Sequence, residues 1–350
     1  MDAARRQWFY LLRKEIQPVL SWEEVRPGEV TVEVGKEELE RVISLLKDKG
    51  GRLFTMVGAD ERERSGRFYL YYVYAFDPIH SFVTVKAGLT EEEPHFPSLT
   101  AKYPALNWYE REVKDLLGLR PLGHPDLRPL VLHGDWPEDL YPLRKDFPAG
   151  VNAPRVEPRE EYIGYESEDV TEVPVGPIHA GIIEPGHFRF GVVGDTILHL
   201  DAHLFYTHRG LEKRAEGMPV EQALVLAEQS CGVCAYSHGL AFAQAVERIA
   251  GVEITARAEA LRALYQELER LYNHIGEVGN MCAGVGLAVG ISLGARLKEQ
   301  LQQLNDRLTG HRYLRGVVAL GGVRYDLKER DIRDLHATLP KIREEFRELS

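Results

Sequence analysis

CGVCAYSHGLAFAQAVERIAG, residues 231–251, decides how the rest of the chain is read. It opens with two cysteines three apart and continues as a helical run. Thiolates are soft ligands, suited to nickel, copper(I), zinc and iron–sulfur centres. A pair at this spacing can clamp one metal, or give one terminal and one bridging sulfur to two. Gly232 is expected to free the turn that brings both sulfurs to one point. The pair lies near a helix N-terminus, where the dipole favours thiolate over thiol. Spacing alone leaves the use open. A thioredoxin-like pair wants a βαβ context, which is not seen around it. Structural zinc would take Cys231, Cys234, His238 and a distant fourth ligand, and Cys282 is the one further thiol.

Downstream the pattern is helical. Leu261, Leu264, Leu268, Leu271 and Ile275 repeat at intervals of three and four, as do Leu293, Leu297, Leu301, Leu304 and Leu308. Two long amphipathic helices packed as an antiparallel pair fit both stripes. GVGLAVG (284–290) follows a helix rather than a strand, so it lacks the setting of a dinucleotide-binding loop. Ile332, Leu335, Leu339, Ile342, Phe346 and Leu349 share a last helical face, which has no Gly or Asn cap.

Upstream, VPVGPIHAGIIEPGHFRFGVVGDTILHLDAHLF (173–205) holds two β-like stretches around Gly191–Asp195, a hairpin signal. Residues 151–172 are acidic and polar, without a periodic apolar face, and read as a linker. Before them, KEELERVISLLKDKG (36–50) is a helix ending at Gly50–Gly51, and PALNWYEREVKDLLGL (104–119) is another, with Pro104 near its start and Gly118 at its end. RFYLYYVYAFD (67–77) and FVTVKAGL (82–89) are aromatic and β-branched, as paired strands prefer. The expected organisation is an α+β domain over 1–150, the linker, and a mainly α-helical domain over 173–350 that opens with a small antiparallel sheet.

Bulk properties agree. The 350 residues suit two domains, and the formal net charge of -11 argues against nucleic-acid binding. No apolar run is long enough to span a membrane, and the first residues lack the apolar core of a secretory signal. A cytoplasmic protein held against a membrane by partners is expected. Three cysteines make a disulfide framework improbable and favour redox or metal roles.

Four motifs stand in order: Gly176-Pro-Ile-His179, Glu184-Pro-Gly-His-Phe188, His208-Arg-Gly-Leu-Glu-Lys-Arg-Ala-Glu216, and Cys231-Gly-Val-Cys234 with His238. Together they resemble the large subunit of [NiFe]-hydrogenases of the membrane-associated, energy-converting group related to complex I. Trp108-Tyr-Glu-Arg-Glu112, Asp115, Gly118, Gly123-His-Pro-Asp-Leu-Arg128 and Pro142-Leu-Arg-Lys-Asp-Phe-Pro148 resemble the C-type subunit of NADH:quinone oxidoreductase (complex I). A fusion of the two is similar to the large subunit of formate hydrogenlyase. The N-terminal motif reads by itself as buried ion pairs and turns of a docking domain.

The resemblance implies a nickel–iron centre with Cys231 as terminal ligand and Cys234 as bridge. It implies Glu184 as the proton-transfer group, Glu212 as a ligand to a separate magnesium or iron ion, and His238 as hydrogen-bond partner of a cluster thiolate. His179 and His187 read more simply as core histidines. The chain carries no iron–sulfur ligand set, so an iron–sulfur small subunit similar to the B-type subunit of complex I is implied, with further hydrophilic and membrane subunits. Two departures stand out. Glu228-Gln-Ser230 replaces an expected Glu-Arg pair, and no second CxxC follows Cys282. Two thiolates cannot hold the whole centre. The expectation is a truncated or split chain whose second pair lies elsewhere, inactive by itself. The competing functions are a quinone-reducing C/D fusion of a complex I-like enzyme, whose relatives lose these cysteines, and a non-catalytic scaffold subunit.

Overall fold

A computed structural model describes residues 2–158, 167, 169–179 and 184–347. The chain divides into two compact units, Met1–Gly210 and Leu211–Ser350. No helix among the described residues is long and apolar enough to cross a membrane.

The first unit opens with helix α1 (Asp2–Glu15) and strands β1 (Ser21–Arg26) and β2 (Glu29–Val34), followed by α2 (Leu39–Asp48). Strand β3 (Arg52–Glu61), the single turn α3 (Arg62–Ser65), β4 (Arg67–Phe76) and β5 (Ser81–Leu89) complete a five-stranded sheet in the order β1-β2-β5-β4-β3. The expected pair of aromatic and β-branched strands is present, with Phe68 opposite Leu89 and Tyr72 opposite Val85 in antiparallel register. The sheet is nevertheless mixed, because β5 returns parallel to β2. Central β5 alternates buried and half-buried residues, whereas its neighbour β4 is buried along most of its length. One core unites Leu12 of α1 and Ile16 just after it, Leu39, Val42, Ile43 and Leu46 of α2, and Val83 and Val85 of β5. Burying each such side chain contributes roughly 2 kcal/mol relative to leaving it exposed.

Short β6 (His95–Pro97) and β7 (Arg120–Leu122) flank α4 (Asn107–Leu117). α4 ends as expected at Gly118, whose φ of 74° is a left-handed conformation that closes helices. A three-stranded antiparallel sheet follows, β8 (Thr171–His179), β9 (Gly186–Val193) and β10 (Thr196–His203), with the anticipated hairpin turning at Gly194–Asp195. By its contacts this small sheet groups with the first compact unit. Long-range polar contacts explain the placement. Arg128 pairs with buried Asp201 of β10 at 2.8 Å, and His133 lies 2.9 Å from the Leu204 carbonyl.

The second unit is helical: α5 (Leu211–Ala215), α6 (Val220–Ala227), α7 (Ala235–Ala250), α8 (Ala256–Gly284), α9 (Ala288–Thr309) and α10 (Glu329–Arg347), with a minimal β11–β12 hairpin (Val318–Ala319, Gly322–Val323). The two leucine stripes lie on α8 and α9, with Leu261, Leu268, Ile275, Leu297, Leu301, Leu304 and Leu308 buried. Near their joint the backbones almost touch. A Cβ on Gly294 would lie 2.6 Å from the Gly279 Cα, so position 294 needs glycine. Within GVGLAVG, Gly284 ends α8, residues 285–287 form the joint and Ala288 opens α9. On α10, Leu335 and Ile342 are buried, Ile332 is exposed, and Leu349 lies outside the described residues.

Candidate metal centre

Cys234 is the residue that enters α7, so the thiol pair stands at a helix N-terminus as its sequence indicates. Cys231 and Cys234 are half-buried, His238 sits one turn into the helix, and the two sulfurs and one ring nitrogen lie within 4.8 Å of one another. The sulfurs are joined as a disulfide. In this state neither is a thiolate, and ligation requires two-electron reduction to the dithiol. Shielding of the His238 ring holds its pKa below the ordinary imidazole value, which favours the neutral form that can ligate.

Two expectations about this loop change. Gly232 has neither a left-handed φ nor any atom within 4 Å of where a Cβ would stand, so the turn itself does not require glycine. The α7 dipole is also already used. Glu269 of α8 accepts the amide N–H groups of Tyr236 at 2.8 Å and Ser237 at 2.9 Å, as well as the Ser237 hydroxyl. A carboxylate, rather than the thiol pair alone, therefore answers the exposed amides of this helix. Burial pushes the Glu269 carboxyl up, against the hydrogen bonds from Ser237 and Tyr236 that pull it down.

The same face of α8 holds the loop from its other side. Tyr272 donates its hydroxyl, and Asn273 its amide at 2.9 Å, to the carbonyl of Val233. None of Glu269, Tyr272 and Asn273 was singled out from sequence. Their spacing of three and four marks one helical face, but nothing in it announces a partner on α7. Glu228, noted only for the residue after it, is buried and accepts the Gly316 amide at 3.0 Å.

The other expected site residues are described each within its own unit. Glu212 is exposed on α5, and it does not join two further donor residues among those described. Glu184 belongs to the first unit, where it is exposed and accepts the Thr207 hydroxyl at 2.6 Å. His187 faces His203 across the β9–β10 pair, and the side chain of His179 falls outside the described residues. Cys282 is a free thiol near the end of α8, about 13 Å further along the helix than Asn273 at about 1.5 Å per residue. It does not join Cys231, Cys234 and His238, so a four-ligand zinc site with Cys282 is not formed. The donor set fits half of a four-thiolate nickel–iron site.

The N-terminal motif does the work its residues suggested. Buried Glu110 accepts the Ser98 hydroxyl at 2.6 Å, the Leu99 amide at 2.8 Å and the Thr100 hydroxyl at 2.8 Å. Asp115 accepts the amides of Leu130 at 2.7 Å, Val131 at 3.0 Å and Leu132 at 3.4 Å. Arg111 donates to the carbonyls of Arg128 and Pro129. These side chains pin loops.

Residues 32–152 match the respiratory-chain NADH dehydrogenase 30 kDa subunit family, and residues 209–278 match the nickel-dependent hydrogenases. The chain is 37% identical over 92% of its length to formate hydrogenlyase subunit 5 of Escherichia coli K12, and 38% identical over 91% to hydrogenase-4 component G of the same organism. It is 28% identical over 85% to the C/D subunit of NADH-quinone oxidoreductase of Phocaeicola vulgatus. The chain spans 58% of the length of each of the first two relatives and 60% of the third. The chain thus carries a match to the respiratory-chain NADH dehydrogenase 30 kDa subunit family followed by a match to the nickel-dependent hydrogenases, and along most of its length it is similar to formate hydrogenlyase subunit 5 and hydrogenase-4 component G.

Proposed function

We propose that this chain is the N-terminal, thiolate-bearing portion of a [NiFe]-hydrogenase-type catalytic subunit. The carrying observation is the convergence of Cys231, Cys234 and His238 within 4.8 Å at the head of α7, inside the segment that matches nickel-dependent hydrogenases. Once reduced, Cys231 and Cys234 would hold nickel and iron, and a second cysteine pair from further polypeptide would complete the set. When bound, such a centre supplies heterolytic cleavage of H₂ or its reverse. Glu184 is the carboxylate proposed to carry the proton, with Thr207 orienting it by hydrogen bond. Glu212 is proposed to contribute to a separate magnesium or iron ion, and His238 to hydrogen-bond a cluster thiolate.

Electrons would pass to an iron–sulfur partner, and the complex would sit on the cytoplasmic face of a membrane through other subunits. The boundaries of the docking domain at residue 150 and of the hydrogenase-type domain at 173 are part of the same proposal. Exposed apolar residues at the α8–α9 joint, Met281, Val285, Leu287 and Val289, support further polypeptide on this unit, since such clusters are usually covered. The second reading, a C/D fusion of a quinone reductase, is favoured by the 28% relative and opposed by the retained thiol pair.

Metal analysis decides between them. Co-expressed with a chain carrying a second CxxC, the protein is expected to retain nickel, and Cys231→Ser is expected to lose it. Nickel retained by Cys231→Ser would overturn the ligand assignment, and absence of nickel from the unaltered complex would favour the quinone-reductase reading.

A further inference from the structure

We infer that Glu269, Tyr272 and Asn273 are positioning residues that clamp the thiol loop to α8 from both sides of Cys234. Val233, immediately before Cys234, has its carbonyl taken by the Tyr272 hydroxyl and the Asn273 amide. Tyr236 and Ser237, immediately after the helix begins, have their amides taken by Glu269. Gln266, one turn earlier on α8, donates to the Ser237 hydroxyl at 2.8 Å, which ties that hydroxyl to the same helix.

The Tyr236 and Ser237 amides are among those a helix start leaves without intrahelical partners, and the Val233 carbonyl lies in the loop just before the N-cap. Cys234 caps α7 without a side-chain hydrogen bond of its own, so α8 supplies what the loop lacks. Glu269 is 1% exposed and Tyr272 is fully buried, so competition from water is slight. The clamp fixes φ and ψ on both sides of one sulfur, and Cys231 lies only three residues away. It therefore raises the effective concentration of each sulfur toward the other, whether the pair is to close as a disulfide or to share a metal. The metal consequence rests on the ligand reading above; the thiol consequence does not.

The test is the equilibrium of the full chain with glutathione, in which the disulfide and two glutathione thiols give the dithiol and one glutathione disulfide. Glu269→Ala is expected to shift the constant about tenfold toward the dithiol. Tyr272→Phe combined with Asn273→Leu is expected to do the same and serves if Glu269→Ala does not fold. Glu247→Gln is the control, because it weakens the buried Glu247–Arg262 pair between α7 and α8 away from the loop. A shift of threefold or more in the clamp variants, without one in Glu247→Gln, supports the clamp. A shift below threefold, or an equal shift in Glu247→Gln, overturns it. Nickel analysis of the complex with a chain carrying a second CxxC separates the two readings. If that complex holds no nickel while the glutathione constants shift as expected, the ligand reading fails and the clamp stands.

Discussion

The two units treat their polar motifs in opposite ways. In the first, Glu110, Arg111 and Asp115 of α4 turn inward and spend their hydrogen-bonding capacity on neighbouring loops. In the second, Cys231 and His238 stay half-buried or exposed, and the backbone on either side of Cys234 is held by α8. Both are strings of polar residues beside a helix. Polar side chains that serve the fold are desolvated and satisfied within the chain, whereas those that serve chemistry are left accessible and positioned by a second layer.

The largest effect expected from this contrast is on stability in the first unit. Asp115→Ala leaves the amides of Leu130, Val131 and Leu132 without their acceptor, and should cost about 3 kcal/mol in urea unfolding. A loss below about 1 kcal/mol would mean that this motif is not chiefly structural.

A second test concerns acid. Burial raises the Asp60 carboxyl, but hydrogen bonds from the Arg62 side chain and from the Lys145 and Arg62 amides, with the Arg62 charge, bring it down to about 2. A depressed carboxylate contributes stability that is present above its unfolded value of about 3.9 and is lost as pH falls through the folded one. The first unit should therefore weaken between about pH 4 and pH 2, and Asp60→Asn should flatten that part of its acid-unfolding profile. An unchanged profile in Asp60→Asn would remove the ion pair with Arg62 from the account.

The smallest expected effect is the sharpest on the other side. Under reducing conditions Cys231→Ser should change unfolding free energy by no more than about 0.5 kcal/mol, as for an accessible substitution that breaks no buried contact. A cost of about 2 kcal/mol or more in reducing buffer would make the cysteine a structural residue and erase the contrast between the units.

Much of this was legible beforehand because it is local. The alternation in 82–89 and the three-four spacing in 261–275 depend on residues within a turn or a strand of each other, and both produced the elements they suggested. The Cys-Gly-Val-Cys pair was visible for the same reason, and its companion His238 lies one helical turn on. The sheet's mixed character was not legible, because β2 and β5 are parallel partners across an intervening helix and hairpin. Nor was the placement of the β8–β10 sheet with the first unit, which depends on contacts such as Arg128 with Asp201, 73 residues apart.

By itself the sequence determined the long helices, the β4–β5 pair, the hairpin near Gly194 and the thiols that define the candidate site. Tertiary structure alone decided what holds those thiols. Glu269, Tyr272 and Asn273 reach the loop across 33, 39 and 40 residues respectively. No periodicity records such pairings, because they exist only once α7 and α8 have packed and brought an unpaired carbonyl and two unpaired amides against one helical face.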